Sequence, residues 1–228
     1  MSLHPLWALV AVRSGVGKQR LAGVLDPTQR RALVMAMATD VLAALAASPA
    51  VDGFAVTTAD PDLAALGAQM GARIIMERDG AGGLNGALED AAALLIADGA
   101  RSLLILHGDV PTVTPGDIAA LLADHETGVT IARADSDGGT NALLLTPADA
   151  ITLHFGKDSC AAHLTAASEA GIAARALAIP GLSADIDEPE DLRQLAAGAG
   201  EGRAALLARE LGLSSGSAAG DDERDCSE

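Results

Sequence analysis

The chain has 228 residues, of which 31 are acidic and 15 basic, giving a formal charge of −16; half the residues are apolar and a fifth are charged. That is a globular composition, and the length suits one domain with a sizeable core. The charge argues against general nucleic-acid binding, which needs a basic surface to displace counterions.

In chain order, short β-like runs alternate with longer helix-like runs. Leu6–Val12 reads as a buried strand. Asp26-Pro27 supplies a cap and a first-turn proline, and Thr28–Ala47 reads as a long helix. Gly53–Thr57 is the next strand, and Asp60-Pro61 opens a helix to about Met70. Arg73–Met76 is a third strand, Leu84–Ala97 a helix and Ser102–Leu106 a strongly apolar strand. Thr114-Pro115 starts a helix that runs to about Ala123. Val129–Ala132 and Ala142–Leu145 read as strands, Ser159–Ala170 as a helix, Ala173–Ile179 as a strand and Glu188–Ala197 as a helix. Leu206, Leu207 and Leu211 belong to a last helix that packs either internally or on another subunit, so monomer and homodimer both stay open. This rhythm predicts a three-layer α/β/α fold around a mostly parallel sheet. Such sheets bind ligands beyond the carboxyl ends of their strands.

The only aromatics are Trp7, Phe54 and Phe155, so the core must be made of Ala, Leu, Val and Ile. No apolar run reaches the roughly 18 residues that would suggest a membrane span. No basic stretch precedes an apolar one at the N-terminus, so no secretory leader is expected. Cys160 and Cys226 form no disulfide framework, which points to a reduced, cytoplasmic setting. The residues from 213 to 228 form an acidic tail, Ser/Gly/Ala-rich from Ser214, that is expected to be disordered.

The loop after the first strand is Arg13-Ser14-Gly15-Val16-Gly17-Lys18-Gln19-Arg20. It is not a P-loop, because Val12 and Gln19 stand where that motif needs Gly and Ser or Thr. It does concentrate three cations, Arg13, Lys18 and Arg20, beside glycines. Its functional reading is a triphosphate clamp, and its plain reading a solvated loop. The fourth strand leads into His107-Gly108-Asp109, where Asp109 either holds Mg2+ or shapes a turn, and His107 reads as a strand-end packing residue. Asp185 and Asp187 share a side in extended chain, and one of them could join Asp109 around a metal. Glu190 and Asp191 suit the N-terminus of the following helix.

Asn85 reads as an N-cap or as an amide that contacts a base or ribose. Thr140 and Asn141 place a polar pair at the mouth of an apolar strand. Phe155-Gly156-Lys157-Asp158-Ser159 precedes a helix whose free N–H groups would suit an anion, with Ser159 as cap, ligand or both. His163, one turn on, is either a ligand contact or a packed histidine.

Taken in order, these loops resemble the 2-phospholactate guanylyltransferase family of deazaflavin coenzyme (F-420) biosynthesis. That family belongs to the nucleotidyltransferases with the fold of the molybdenum-cofactor guanylyltransferase. The resemblance covers about residues 6–197. It rests on Lys18-Gln19-Arg20-Leu21, Gly83-Leu84-Asn85, Asp109-Val110-Pro111, Gly139-Thr140-Asn141-Ala142, Phe155-Gly156 with Ser159 and His163, and Asp185-Ile186-Asp187 with Pro189-Glu190-Asp191. It implies a single domain over 1–212 with the Rossmann-like nucleotide-diphospho-sugar transferase (MobA-like) fold. It also implies transfer of GMP from GTP to the phosphate of 2-phospholactate, phosphoenolpyruvate or 3-phosphoglycerate, with release of pyrophosphate. A downstream transferase would use the product.

By resemblance, Arg13, Gly15, Lys18 and Asn85 meet the nucleotide, and Lys18, Arg20 and Asp109 are catalytic. Thr140, Asn141, Gly156 and Ser159 hold the acceptor, and Asp109, Asp185 and Asp187 hold Mg2+. The family often has Pro-Val-Lys where this chain has Ala11-Val12-Arg13, and Pro-Ala-Asp where it has His107-Gly108-Asp109. These departures leave the acceptor acid open. Competing expectations are a molybdopterin or sugar-phosphate acceptor on the same fold, and a non-catalytic GTP-binding regulator. The absence of GxGxxG after the first strand argues against a dehydrogenase.

Overall fold

The computed structural model describes residues 3–13, 18–78, 80, 82–135 and 137–213. Gly15, and the expected tail from Ser214 onward, lie outside the described residues.

Seven strands form one sheet in the order β3-β2-β1-β4-β6-β5-β7. They are β1 (Leu6–Ala11), β2 (Gly53–Thr58), β3 (Arg73–Met76), β4 (Ser102–His107), β5 (Gly128–Arg133), β6 (Thr140–Thr146) and β7 (Ala174–Leu177). Only β6 runs antiparallel to its neighbours, β4 and β5. The helices are α1 (Pro27–Ala46), α2 (Pro61–Gln69), α3 (Gly83–Ala97), α4 (Pro115–Leu122), α5 (Ser159–Glu169), α6 (Pro189–Ala197) and α7 (Arg203–Glu210). Among the described residues no helix is long and apolar enough to cross a membrane.

Strand alternation divides the core into two layers. Val10, Val56 and Leu104 face α1, α4, α6 and α7, packing against Leu33, Met37, Ile118 and Leu192. Leu9, Ala55, Leu103 and Ile105 face α3 and α5, packing against Leu88, Ala91 and Ala167. In the last helix, Ala204 and Ala208 are buried and Leu207 packs inward, as does Leu211 just beyond it, while Leu206 stays exposed.

The helix starts read from Asp-Pro and Thr-Pro pairs carry real caps. The Asp26 carboxylate accepts from Gln29 N (2.9 Å) and Thr114 Oγ1 from Asp117 N (3.2 Å). Asp60 caps α2 and also accepts from Arg31 (2.7 Å), which holds its carboxyl down to about 2. Two expected caps move. Gly82, in a left-handed conformation, precedes α3 in place of Asn85, and Asp158, also left-handed, precedes α5 in place of Ser159. In both loops the chain must turn sharply into the helix, and Gly, and to a lesser extent Asp, tolerates positive φ.

A buried polar network lies at the opposite end of the sheet from the candidate site. His125 Nδ1 lies 2.8 Å from Thr130 Oγ1, and its Nε2 lies 3.1 Å from Thr146 Oγ1. Burial, aided by the Arg175 charge, lowers the His125 pKa to about 4. His163 is lowered to about 4 by burial and by two neighbouring histidines. Both are therefore neutral when folded but take a proton below about 6.5 when unfolded. Their stabilising contribution is complete above that value and is lost as pH falls toward 4. Asp60, held near 2, starts to cost stability only at lower pH. Asp185, raised by burial and by Asp109, acts in the opposite sense but is a single group. The thermal midpoint should fall steadily between pH 6.5 and 4.5, and His125→Asn should flatten part of that slope. A midpoint that stays level over this range would contradict the assignment.

Candidate functional site

Strands β1 and β4 are parallel neighbours, with Ala11 opposite His107. Their outgoing loops therefore leave the sheet side by side, at the point where the strand order switches direction. Gly108 permits this approach: a Cβ there would meet Val12 Cγ2 at 3.0 Å and Ala11 O at 3.2 Å. Asp109 thus enters the space that Lys18 reaches from the loop after β1.

Lys18 Nζ donates to Asp109 Oδ2 (2.7 Å) and to Asp187 Oδ1. Burial opposes the ammonium, but the two carboxylates more than offset it and raise the Lys18 pKa. In return, and against its own burial, Asp109 is held below the ordinary carboxylate range, chiefly by Lys18. The loop carrying Asp185 and Asp187 is tied to Asp109 by Ile186 N donating to Asp109 O (3.1 Å). Asp191, in the first turn of α6, accepts from the backbone N–H of Asp187 (3.0 Å) and Glu188 (2.7 Å). The residue expected to complement the helix terminus therefore also fixes the backbone that presents Asp187.

These groups form one end of a cavity of about 320 Å3, which also includes Arg13 and Asp185. Its other end is lined by Thr140, Asn141, Gly156 and Ser159, together with Lys157. Thr140 Oγ1 lies 3.1 Å from His163 Nδ1, and His163 Nε2 accepts from His154 N (3.0 Å). Asn141 Nδ2 donates to Leu182 O (2.9 Å), bracing β6 against the segment that leads to Asp185. The N-terminus of α5 is less open to an anion than expected. Ser159 N donates to Gly156 O and Cys160 N to Gly138 O, both at 3.1 Å.

Two expected site residues stand elsewhere. Arg20 lies in a 3-10 turn, Gln19–Gly23, whose buried residue is Leu21. Sending Leu21 into the core turns Arg20 outward, to an exposed pair with Glu188 (3.3 Å). Asn85 Oδ1 accepts from Phe155 N (2.7 Å) and its Nδ2 donates to Phe155 O (3.1 Å). Its amide thus braces the Phe155 loop rather than facing the cavity. The three-cation clamp is accordingly divided: Lys18 and Arg13 face the cavity and Arg20 does not.

Glu77, just past β3, was not singled out by its sequence. Like Asp109 it is a carboxylate just past the carboxyl end of a parallel strand, although β3 is only partly buried. Its Oε2 lies 3.6 Å from Arg13 Nη2, while its Oε1 is buried with no hydrogen-bond partner among the described residues. A second cavity, about 630 Å3, adjoins Glu77 and shares Arg13 with the first.

The residues present fit a hard divalent cation. Asp109 Oδ1 is buried and has no hydrogen-bond partner among the described residues; His107 Nδ1 lies 3.9 Å away. The Asp185 carboxyl is raised by burial and then by the Asp109 charge, a repulsion that a cation would relieve. Among the described residues no group of three or more His, Cys, Asp or Glu side chains is placed to hold a metal ion. Mg2+ does not require one, since it usually takes one or two carboxylates and keeps several waters.

Over residues 7–225 the chain matches the family described as CofC-like guanylyl transferase. The chain belongs to that family. It is 40% identical over 185 residues to the phosphoenolpyruvate guanylyltransferase of Sphaerobacter thermophilus, covering 81% of this chain and 88% of that one. It is 38% identical over 196 residues to the 3-phospho-D-glycerate guanylyltransferase of Phenylobacterium zucineum, covering 84% and 89%. Its fold matches a putative nucleotide-diphospho-sugar transferase of Desulfovibrio desulfuricans with a TM-score of 0.73 at 18% identity, covering 92% and 95%. This CofC-like chain is therefore a guanylyltransferase on the nucleotide-diphospho-sugar transferase fold.

Asp109→Asn, which keeps the shape but removes the charge that pairs with Lys18, should lower kcat by about 10²-fold or more. Arg20→Ala should stay within about threefold of the parent, because an exposed ion pair contributes little. Steady-state rates of the two variants check the division of the cationic loop.

Proposed function

We propose that this CofC-like enzyme passes guanylate from GTP to the phosphate of a small phosphorylated carboxylic acid, with phosphoenolpyruvate as the first candidate. The observation that carries the reading is a single cavity with two chemically different ends. One end joins Lys18, Asp109 and Asp187; the other offers Thr140, Asn141 and Lys157. The curated relatives named for phosphoenolpyruvate favour that acceptor, and the relative named for 3-phospho-D-glycerate supports a second. 2-Phospholactate shares the same phosphate and carboxylate. The product, an acid activated as a guanylyl anhydride, would pass to a downstream transferase in deazaflavin coenzyme (F-420) formation.

An acceptor phosphate oxygen attacks the α-phosphorus of GTP. The new P–O bond forms as the bond to the β-phosphate oxygen breaks, and pyrophosphate leaves with the electron pair. The attacking phosphate is already anionic at neutral pH, so no general base is needed. Lys18 and Arg13 offset the charge of the phosphates, and the cavity holds the two anions in line. Asp109 and one of Asp185 and Asp187 would hold Mg2+, which would neutralise charge on the transferring phosphate.

Glu77 gives the nucleotide end a base-reading group. Guanine presents N1–H and N2–H donors side by side, which suit a carboxylate; adenine has no N1–H and puts its amino group at C6. Arg13, shared by both cavities, then lies between base and phosphates.

The test is GTP-dependent pyrophosphate release with each acid in turn, Mg2+ and inorganic pyrophosphatase, with mass spectrometry of the guanylylated product. Product from phosphoenolpyruvate is expected. Product only from 3-phosphoglycerate or 2-phospholactate would reassign the acceptor. GTP binding with no product from any of the three would favour a molybdopterin or sugar-phosphate acceptor, or a regulator. Glu77→Gln should reduce the preference for GTP over ATP by about tenfold or more, mostly through the KM for GTP. An unchanged preference would remove Glu77 from base recognition.

A further inference from the structure

The hydrogen bonds around His163 determine where its proton sits. The side chain is fully buried, and its Nε2 faces a backbone N–H, that of His154, at 3.0 Å. A backbone N–H can only donate, so Nε2 must present a lone pair. A neutral imidazole with a lone pair at Nε2 carries its hydrogen on Nδ1. Nδ1 lies 3.1 Å from Thr140 Oγ1, so this contact is Nδ1–H donating to the hydroxyl oxygen. The Thr140 hydroxyl hydrogen therefore cannot point at the ring. Among the described residues it has no other side-chain or backbone acceptor, and Thr140 lines the cavity. Phe155 packs edge-on against the ring at a centroid distance of 5.0 Å, and the Phe155 loop is itself held by Asn85.

We propose that His163 is a positioning residue that locks Thr140 as a hydrogen-bond donor into the acceptor end of the cavity, where it meets an anionic oxygen of the phosphorylated acid. A threonine hydroxyl can donate or accept, and its rotor is otherwise free. With Nδ1–H occupying one lone pair, the hydroxyl hydrogen is excluded from the ring side, so binding has fewer rotor positions left to order. This inference rests on the proposed acceptor class.

Two isosteric variants separate the donor from the acceptor function of the ring. The Asn amide nitrogen overlays Nδ1, so His163→Asn keeps a donor to Thr140. The Gln carbonyl overlays Nε2, so His163→Gln keeps the acceptor for His154 N and removes the donor. His163→Gln should raise the KM for the acceptor acid about tenfold or more, leave the KM for GTP within about twofold, and be largely corrected in His163→Asn. Thr140→Val should show the same acceptor-specific rise, and His163→Gln added to it should cost nothing further, because both changes remove one interaction. Long-range 1H–15N correlation spectra of the ligand-free protein should show the His163 ring as the Nδ1–H tautomer, assigned by its loss in His163→Gln. An Nε2–H tautomer, equal damage from the Asn and Gln variants, or additive losses in the double variant would overturn the proposal. Wild-type protein that uses none of the acids would instead overturn the proposed acceptor, while the tautomer result would stand separately.

Discussion

The Lys18 ammonium, held between Asp109 and Asp187, joins three loops that are far apart in the chain. One follows β1, one follows β4 and one precedes α6. Each would be a solvated loop on its own, and two of them carry like charges that repel. The buried cation turns that repulsion into attraction, and the carboxylates keep Lys18 charged against the cost of burial. The remaining placements depend on this point: the nearness of Asp185 to Asp109, the entry of the α6 chain through Asp191, and the cavity mouth itself.

From that centre the site divides by chemistry. Toward β2 and β3 lie Arg13 and Glu77, a cation and a carboxylate with one buried oxygen left unpaired. Toward β6 and α5 lie Thr140, Asn141 and Lys157, with the polar groups behind them already committed to one another. Asn141 and Asn85 are used as braces, one on Leu182 and the other on Phe155. An amide can satisfy a backbone donor and acceptor together, so both were as suited to holding loops as to touching ligands.

Much of the framework was legible because it depends on local chemistry. The Asp26-Pro27, Asp60-Pro61 and Thr114-Pro115 pairs each mark a helix start, since capping needs only a short side chain and a proline at the first turn. Asp109 stood out because a carboxylate after a fully buried strand reaches the ligand end of a parallel sheet. Glu77 gives no such signal, because β3 is short and only partly buried. Arg20 stands apart from Lys18 and Arg13 because a single turn with Leu21 facing inward sends its neighbour outward, which charge counting does not show. Asn85 and Ser159 looked like caps, but the left-handed residues Gly82 and Asp158 took those places.

By itself, the sequence determined the layered α/β architecture, the strand-end loops that carry charge, and family membership through ordered short motifs. Periodicity, capping and turn preferences act over a few residues and can be read there. Only the tertiary structure decided that β6 runs against its neighbours, that Lys18 pairs with Asp109 and Asp187, and that His163 passes its hydrogen bond to Thr140. Those outcomes depend on contacts between positions from 23 to 169 residues apart, and on which buried donors and acceptors remain once the backbone has taken its share.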